Sequence, residues 1–283
     1  MRKIAKLAIA AAIAGMAMVS QAGIVIDNFN VAQGLDGFGE PVLTDGSANG
    51  SGKYSSVNGA TTDIIGGQRD LYIEKISGGP GFMTALVANG AYSYSTPATN
   101  PLTVGTAFLK WDGQNEASPG TIYNGNQAAF LATLNPTGLN NTDLKAGGNA
   151  FRIDVLDSDL GFTFGLTVFS GAFGQNWTTL LLASAAHAGG LPASSPILFA
   201  DFEGATDVAG SVIGSGAFRF TSAFGAADLS DVGALLAQVN VNGSNAQVDL
   251  SIDQVITVPE PGSLALFGIA VLGLGAVRRR KQA

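Results

Sequence analysis

The chain has 283 residues and no cysteine, with 14 basic and 21 acidic side chains and a formal charge of −7. Only 12% of its residues are charged, about half the usual proportion. The absence of cysteine excludes a disulfide scaffold and a cysteine-ligated zinc module. The acidic balance argues against nucleic acid as a partner, because phosphate contacts need a basic surface. Most of the chain shows no long apolar run, which excludes a protein with many membrane spans.

The first 22 residues have the pattern of a secretory signal peptide. Three basic residues precede a charge-free run from Leu7 to Val19. Small residues then lie three and one positions before the bond between Ala22 and Gly23, as signal peptidase requires. The sequence therefore predicts a signal helix over 1–22, cleavage between Ala22 and Gly23 by signal peptidase, and export of the rest of the chain.

The last 26 residues, 258–283, form a second pattern with three parts. The run Pro259, Glu260 and Pro261 ends the preceding strand, because proline cannot donate to a sheet ladder. Residues 263–277 carry no charge, which predicts a single short transmembrane helix. A basic cluster follows and would hold this end in the cytoplasm as a membrane stop signal. Its members are Arg278, Arg279, Arg280 and Lys281.

A Pro-Glu-Pro box, a short apolar segment and a terminal arginine cluster, in this order, resemble the PEP-CTERM sorting tail of proteins exported by Gram-negative bacteria. The resemblance covers residues 258–283. It implies that an exosortase recognises Pro259, Glu260 and Pro261, and that the helix anchors the precursor in the inner membrane only transiently. It further implies display at the cell surface or release outside the cell, in association with exopolysaccharide or biofilm matrix.

Residues 23–257 between these two ends are long enough for one hydrophobic core and form one predicted domain. Apolar residues alternate with polar ones in short segments, as at 151–155, 162–168 and 248–252. Turns rich in glycine and asparagine separate these segments. The pattern predicts an all-β domain with two packed sheets, a jelly-roll-like β-sandwich.

Three segments of this domain test the prediction in detail. Residues 128–134 and 197–202 are among the predicted strands, and 232–239 is predicted as a strand in preference to a helix. A parallel β-helix is the competing architecture. No internal repeat of fixed period occurs, which counts against that alternative.

Three segments of the domain also resemble parts of exported proteins that carry this tail. They are Ile26–Phe29, Ile65–Leu71 and Asp249–Asp253. The resemblance implies no chemistry for them. We interpret the two glycines of the second segment as a turn, and Arg69 as a partner of neighbouring carboxylates at the surface or at a sheet edge.

Catalytic chemistry has little support in the sequence. The single histidine, His187, would have to serve any Ser/His/Asp triad, and a zinc site would lack further histidine or cysteine ligands. Glycoside hydrolysis needs two facing carboxylates. Asp201 with Glu203 share a predicted strand face, and Asp249 with Asp253 nearly do. Acids on exposed strand faces are also typical of soluble proteins, so we predict a non-enzymatic protein, with a secreted carbohydrate-active enzyme as the alternative.

Two groups of residues are candidates for binding. Asp154, Asp157 and Asp159 lie close together near a predicted strand end, and such oxygen ligands suit a structural Ca²⁺, the one cofactor that we consider. Trp111 and Trp177 each lie beside amides or carboxylates, a composition that can stack on a sugar ring and bond its hydroxyls. The other role for both tryptophans is core packing.

The charge is divided unevenly along the chain. Residues 23–257 hold 7 basic and 20 acidic side chains, a formal charge of −13, because the two ends hold the other bases. This acidity predicts repulsion from acidic polysaccharides unless a cation bridges the two.

Overall fold

The computed structural model describes residues 23–34, 44–45, 49–50, 52–98, 101–189, 192–194, 196–204, 211–212 and 218–259. The predicted signal helix, transmembrane helix and basic cluster lie outside these ranges, as do Ala22, Glu260 and Pro261. Within the described ranges, no helix combines the length and the apolar character needed to cross a membrane.

The described chain is built mainly from short strands. In chain order these are β1 (Val25–Asp27), β2 (Thr44–Asp45), β3 (Gly52–Asn58), β4 (Gln68–Ser77), β5 (Met83–Ala88), β6 (Ala91–Ser95), β7 (Val104–Trp111), β8 (Ile122–Gly125), β9 (Ala150–Ser158), β10 (Phe162–Ser170), β11 (Asn176–Ser184), β12 (Pro196–Leu198), β13 (Ser211–Val212), β14 (Phe218–Thr221), β15 (Val232–Val239) and β16 (Asp249–Val258). Two short α-helices, α1 (Gln127–Ala132) and α2 (Phe199–Glu203), and 3₁₀ turns at Ile65–Gly67, Leu144–Gly147 and Val241–Gly243 complete the described elements.

The strands form two antiparallel sheets. The first has the order β12-β9-β16-β6-β5-β2, with β1 also paired to β16, and the second has the order β13-β14-β11-β10-β15-β7-β4-β3-β8. Inward side chains of both sheets belong to one buried cluster, with Met83 and Ile252 from the first sheet and Leu71 and Leu235 from the second. This arrangement confirms the prediction of an all-β fold with two packed sheets, which the alternation of apolar residues indicated.

The second sheet is also covered on part of its outer face. Helix α1 places Phe130 against Tyr72 of β4 and Phe108 of β7, and these three rings form a separate buried cluster. Strand β7 is therefore buried on both faces over most of its length.

The structure corrects two of the predicted strands. Residues 128–134 fall largely within helix α1, because the Asn126 side chain accepts a hydrogen bond of 2.8 Å from the Ala129 N–H and caps the first turn. Residues 197–202 begin as strand β12 and continue as helix α2. The preference for a strand at 232–239 is confirmed, since β15 pairs with β7 and β10 over this range.

Candidate functional site at the sorting end

The segment that leads into the Pro-Glu-Pro box is a central strand of the first sheet. Strand β16 pairs with β9 along most of its length, and with β6 and then β1 on its other side. Its last residue, Val258, still pairs with Ala150, and Pro259 follows exposed to solvent. The box therefore begins directly where the sheet ends, with no intervening linker.

The start of the predicted mature chain lies beside the same point. The Ile24 N–H donates to Thr257 Oγ1 at 2.7 Å, and the Thr257 N–H donates to the Ile24 carbonyl at 2.8 Å. Gly23, on one side of the predicted signal cleavage, consequently adjoins the strand end that carries the box. Gly23 and Pro259 therefore lie at the same end of the sandwich.

Two glycines allow the chain to pass close to this strand end. A Cβ on Gly147 would lie 2.3 Å from Thr257 Oγ1, and a Cβ on Gly148 would lie 2.2 Å from the Val258 carbonyl oxygen. Gly148 also has a φ of 153°, which L side chains rarely adopt. The neighbouring Asn149 N–H donates to the Val258 carbonyl at 3.0 Å and holds the strand end in place.

A groove of about 580 Å³ adjoins Pro259. Its lining consists of Lys145, Gly148, Asn149, Leu198, Phe199, Ala200, Glu203 and Pro259. Lys145 Nζ lies 2.6 Å from Glu203 Oε1 and 3.6 Å from Asp228 Oδ1. The hydrogen bond to Glu203 raises the pKa of Lys145, and the hydrogen bond from Ser230 lowers the pKa of Asp228. Since these side chains are partly exposed, water screens the pair and it adds little stability.

The two tryptophans occupy different environments. Trp111 is 1% exposed, and its Nε1–H donates to Asp27 Oδ2 at 2.8 Å. Its indole belongs to the core and presents no face to a sugar, which corrects the prediction for this residue. Trp177 is half-buried at the start of β11, so part of its ring stays accessible.

The three aspartates predicted to bind calcium do not converge. Asp154 is buried and accepts hydrogen bonds from Arg152 and Gln254 at 2.9 and 2.8 Å. Asp157 accepts from the Gly189 N–H, and Asp159 accepts from the Asp249 N–H. Among the described residues, three carboxylates converge within 4.8 Å only at Asp70, Asp112 and Glu116, so the structure does not bring these aspartates together as the predicted calcium site requires.

The carboxylates considered for glycoside hydrolysis are also arranged differently from the prediction. Asp201 and Glu203 lie in helix α2 and not on a strand face. Glu203 accepts hydrogen bonds from the Leu229 N–H and binds Lys145. These two contacts of the Glu203 carboxylate connect helix α2 to the neighbouring loops.

Arg69 lies neither at the surface nor at a sheet edge, so the prediction for this residue is wrong. Arg69 and Asp27 are 0% exposed, and Arg69 Nη1 lies 2.9 Å from both carboxylate oxygens of Asp27. Arg69 also donates to the Gln33 side chain and the Val31 carbonyl. The alternation along β4 could have indicated this burial, because Arg69 is two residues from Leu71 and lies on the same inward face of the strand.

A second buried cluster surrounds Lys110. Its Nζ lies 2.5 Å from Glu116 Oε1, 3.6 Å from Asp70 Oδ2 and 3.7 Å from Asp112 Oδ2. Burial raises the pKa of Asp70 to about 7 and also raises the pKa of Asp112. Among the described residues, only these three acids bring carboxylate oxygens within 4.8 Å of one another in a group that could hold a metal. The ammonium group of Lys110 already supplies a cation to that group.

Comparison with known proteins identifies the sorting end. A family model of the PEP-CTERM protein-sorting motif matches residues 257–281. No curated protein matches the chain. A solved structure titled "Structure of PfGH50B" is similar with a TM-score of 0.35 and 10% identity, over 67% of this chain and 22% of that one. A likeness of that size carries no argument about function. The family match at residues 257–281 makes the chain a PEP-CTERM domain-containing protein, an exported protein targeted to exosortase, and the structure places the first proline of the box, Pro259, exposed at the end of β16.

Proposed function

We propose that the sandwich is a cell-surface or extracellular-matrix protein without enzymatic activity, which contacts exopolysaccharide after exosortase processing. The observation that carries this proposal is the direct passage of β16 into the box. Because the box follows a central strand, the whole sandwich is the cargo that sorting delivers. Its function is then exerted by its surface outside the cell.

The acids whose pKa values burial raises have contacts that suit a structural role and not a catalytic one. Asp70 and Asp112, whose pKa values burial raises, accept hydrogen bonds from backbone N–H groups of the chain and lie 3.6 and 3.7 Å from Lys110 Nζ. Asp27 is held by Arg69 and Trp111 in the core. These acids lie beneath the surface, where they join strands and loops.

An aromatic patch at one end of the second sheet supports contact with polysaccharide. Phe173 and Phe224 are 77% and 72% exposed, on two turns closed by the bonds Gly174 N–H to Gly171 and Gly225 N–H to Ser222. Both turns flank Asn176, and the Ser222 N–H donates to the carbonyl of the adjacent Trp177. Exposed rings beside an amide suit stacking on sugar rings and bonding to hydroxyls.

The test uses the exported chain and immobilised polysaccharides, both neutral and acidic. We expect binding to at least one of them, and a loss of about thirtyfold in affinity when Phe173 and Phe224 are both changed to serine, since each stacked ring contributes about 1 kcal/mol. Surface plasmon resonance measures the affinity.

The matched control is Phe82→Ser. Phe82 is 67% exposed but precedes β5 in the first sheet, away from the two aromatic turns. The control should bind as the unchanged chain does. Equal losses in both variants would contradict the proposed patch, and release of reducing sugar ends from any bound polysaccharide would contradict the absence of enzymatic activity.

A further inference from the structure

The Lys110 side chain is buried among three carboxylates on the outer face of the second sheet. It faces Asp70 directly in the register of β7 and β4, and Ser56 of β3 faces Asp70 on the other side. The side chains of Lys110 and Asp70 are both 0% exposed. A lysine and an aspartate that cannot reach water are therefore held together as neighbours on one face of the sheet.

The two oxygens of Asp70 have different surroundings. Oδ1 accepts hydrogen bonds from the Ser56 hydroxyl and, at 3.2 Å, from the Glu116 N–H. The Ala117 N–H donates to Ser56 Oγ at 2.9 Å, which orients the Ser56 hydroxyl toward Asp70. Oδ2 is buried without a hydrogen bond and lies 3.6 Å from Lys110 Nζ. Oδ1 therefore accepts hydrogen bonds from two donors, whereas Oδ2 accepts none.

We propose that Lys110 and Asp70 join in an intramolecular amide bond, with Glu116 transferring the proton. Glu116 Oε1, 2.5 Å from Nζ, accepts a proton from the ammonium group, and the neutral amine attacks Cγ of Asp70. A bond forms between Nζ and Cγ, and the bond from Cγ to Oδ2 breaks. Glu116 passes its proton to Oδ2, which leaves as water with that proton and the one it already carried, and Glu116 takes up the second proton that the nitrogen loses. The balance is one ammonium, one protonated carboxyl group and the Glu116 carboxylate giving one amide, one water and protonated Glu116, with no oxidant or cofactor.

The surroundings favour each step of this condensation. Two donors on Oδ1 stabilise the negative charge that develops there when the amine attacks, as in an oxyanion hole. Burial raises the pKa of Asp70 to about 7, so the carboxyl retains the proton that makes it an electrophile. Fixed neighbours react as if at very high concentration. The ring of Phe130, 4.6 Å from Nζ, covers the lysine on its remaining side and keeps water out.

Asp70 is a better acceptor than Asp112. Both oxygens of Asp112 accept backbone hydrogen bonds, from Gln114 at 3.1 Å and from Asn135 at 2.8 Å. Neither oxygen is therefore free to leave as water. Asp70 has an oxygen, Oδ2, without a hydrogen bond, so we assign the amide with Lys110 to Asp70 and not to Asp112.

An amide at this position would tie β4 to β7 in the middle of the second sheet and close a loop of residues 70–110. A closed loop restricts the unfolded chain and so stabilises the fold, as a disulfide does. The chain has no cysteine and is exported, so a lysine–aspartate bond supplies a covalent link that cysteine cannot.

The decisive measurement needs no variant. The exported chain is denatured and digested after lysine, arginine and glutamate together, which removes Lys75 and separates residues 70–74 from 76–116. We expect these two peptides to stay joined, lighter by one water than their sum, with fragmentation placing the bond between Lys110 and Asp70. Separate peptides with cleavage after Lys110 would overturn the proposal, and a bond to Asp112 or Glu116 would overturn the assignment to Asp70.

Lys145 is an internal control in the same digest. Its Nζ is 2.6 Å from Glu203, but its side chain is 43% exposed, so it should remain a free amine and be cleaved. Among variants, Lys110→Arg and Asp70→Ala should abolish the joined peptide, and Asp112→Asn should retain it. Glu116→Gln should slow its formation at least tenfold after refolding. Formation of the bond in Glu116→Gln at the unchanged rate would contradict the role of Glu116.

Discussion

Two ionisable side chains at neighbouring positions of β4, Arg69 and Asp70, lie on opposite faces of the second sheet. Arg69 points into the main core, where it binds Asp27, and Asp70 points to the outer face, where it meets Lys110. Removing one partner of the buried Arg69–Asp27 pair should cost about 3–5 kcal/mol, because the other charge is left without compensation. The contact between Asp70 and Lys110 contributes differently, because burial raises the pKa of Asp70 to about 7.

The Lys110 cluster predicts a pH dependence that can be measured once the lysine is removed. In Lys110→Met no amide can form, and the positive charge that lowers the pKa of Asp70 is gone, so its pKa stays at about 7 or higher. The unfolded chain releases this proton near the ordinary value of 3.8. Because the folded chain then holds a proton that the unfolded chain has lost, the free energy of unfolding should fall by about 4 kcal/mol between pH 4 and pH 7.

Urea unfolding at several pH values checks this slope. The matched control is the double variant Lys110→Met with Asp70→Asn, which has no carboxyl at this position. Other acids titrate equally in both proteins, so the difference between the two curves isolates Asp70. Parallel curves for the two variants would show that Asp70 does not retain its proton.

At the scale of elements, helix α1 and the strand end at Val258 show how short contacts decide local structure. The polar and apolar residues of 128–134 alternate too weakly to distinguish a strand from a helix. The Asn126 cap and the contact of Phe130 with the outer face of the sheet favour the helix.

The end of strand β16 depends on a close approach of another backbone segment. Gly147 and Gly148 allow this approach, because a Cβ at either position would clash with β16.

Gly148→Ala tests that close approach. The added Cβ would lie 2.2 Å from the Val258 carbonyl, so the strand end must move and the hydrogen bond from Asn149 is lost. We expect a loss of stability above 2 kcal/mol, about twice the cost of a positive φ alone, and faster cleavage of the folded chain near residue 258 by an added protease. Gly120→Ala is the matched control, because Gly120 also has a positive φ but no atom within 4 Å of its Cβ. Equal effects of the two substitutions would show that conformation alone, and not the contact with β16, explains the loss.

At the scale of the whole molecule, the core removes positive charge from the surface. Four of the seven basic residues in 23–257 are buried, namely Arg69, Lys75, Lys110 and Arg219. The bases that are at least partly exposed are Lys53, Lys145 and Arg152. Four acids are buried as well among the described residues, so burial leaves the formal charge of residues 23–257 at −13, with only three bases among the unburied side chains to offset the acids.

This surface predicts a dependence on divalent cations. Binding to an acidic polysaccharide, with polygalacturonate as the probe, should be about tenfold weaker in a chelator than in millimolar Ca²⁺, because a bridging cation offsets the repulsion between like charges. Binding to neutral dextran should not change with Ca²⁺. Biolayer interferometry at constant ionic strength measures both, and tight binding to polygalacturonate in the chelator would contradict the prediction.

The sequence by itself determined the sorting tail, the class of fold and the absence of disulfides, and it predicts the signal peptide. Signal peptide and sorting tail are linear patterns of charge and hydrophobicity, and the alternation in segments such as 162–168 follows from the two-residue repeat of a strand. Such features depend on neighbours in the chain, so they can be predicted without a fold.

Only the tertiary structure decided the roles of the charged and aromatic side chains. Asp27 and Arg69, or Asp70 and Lys110, are about forty residues apart, and the pairing of strands brings each pair together. Trp111 resembled a sugar contact until its indole was found bonded to Asp27 in the core. The physical reason is that the burial of a side chain and the groups it contacts depend on which strands become neighbours in the sheets. Those strands lie far apart in the sequence, so local patterns do not predict their contacts.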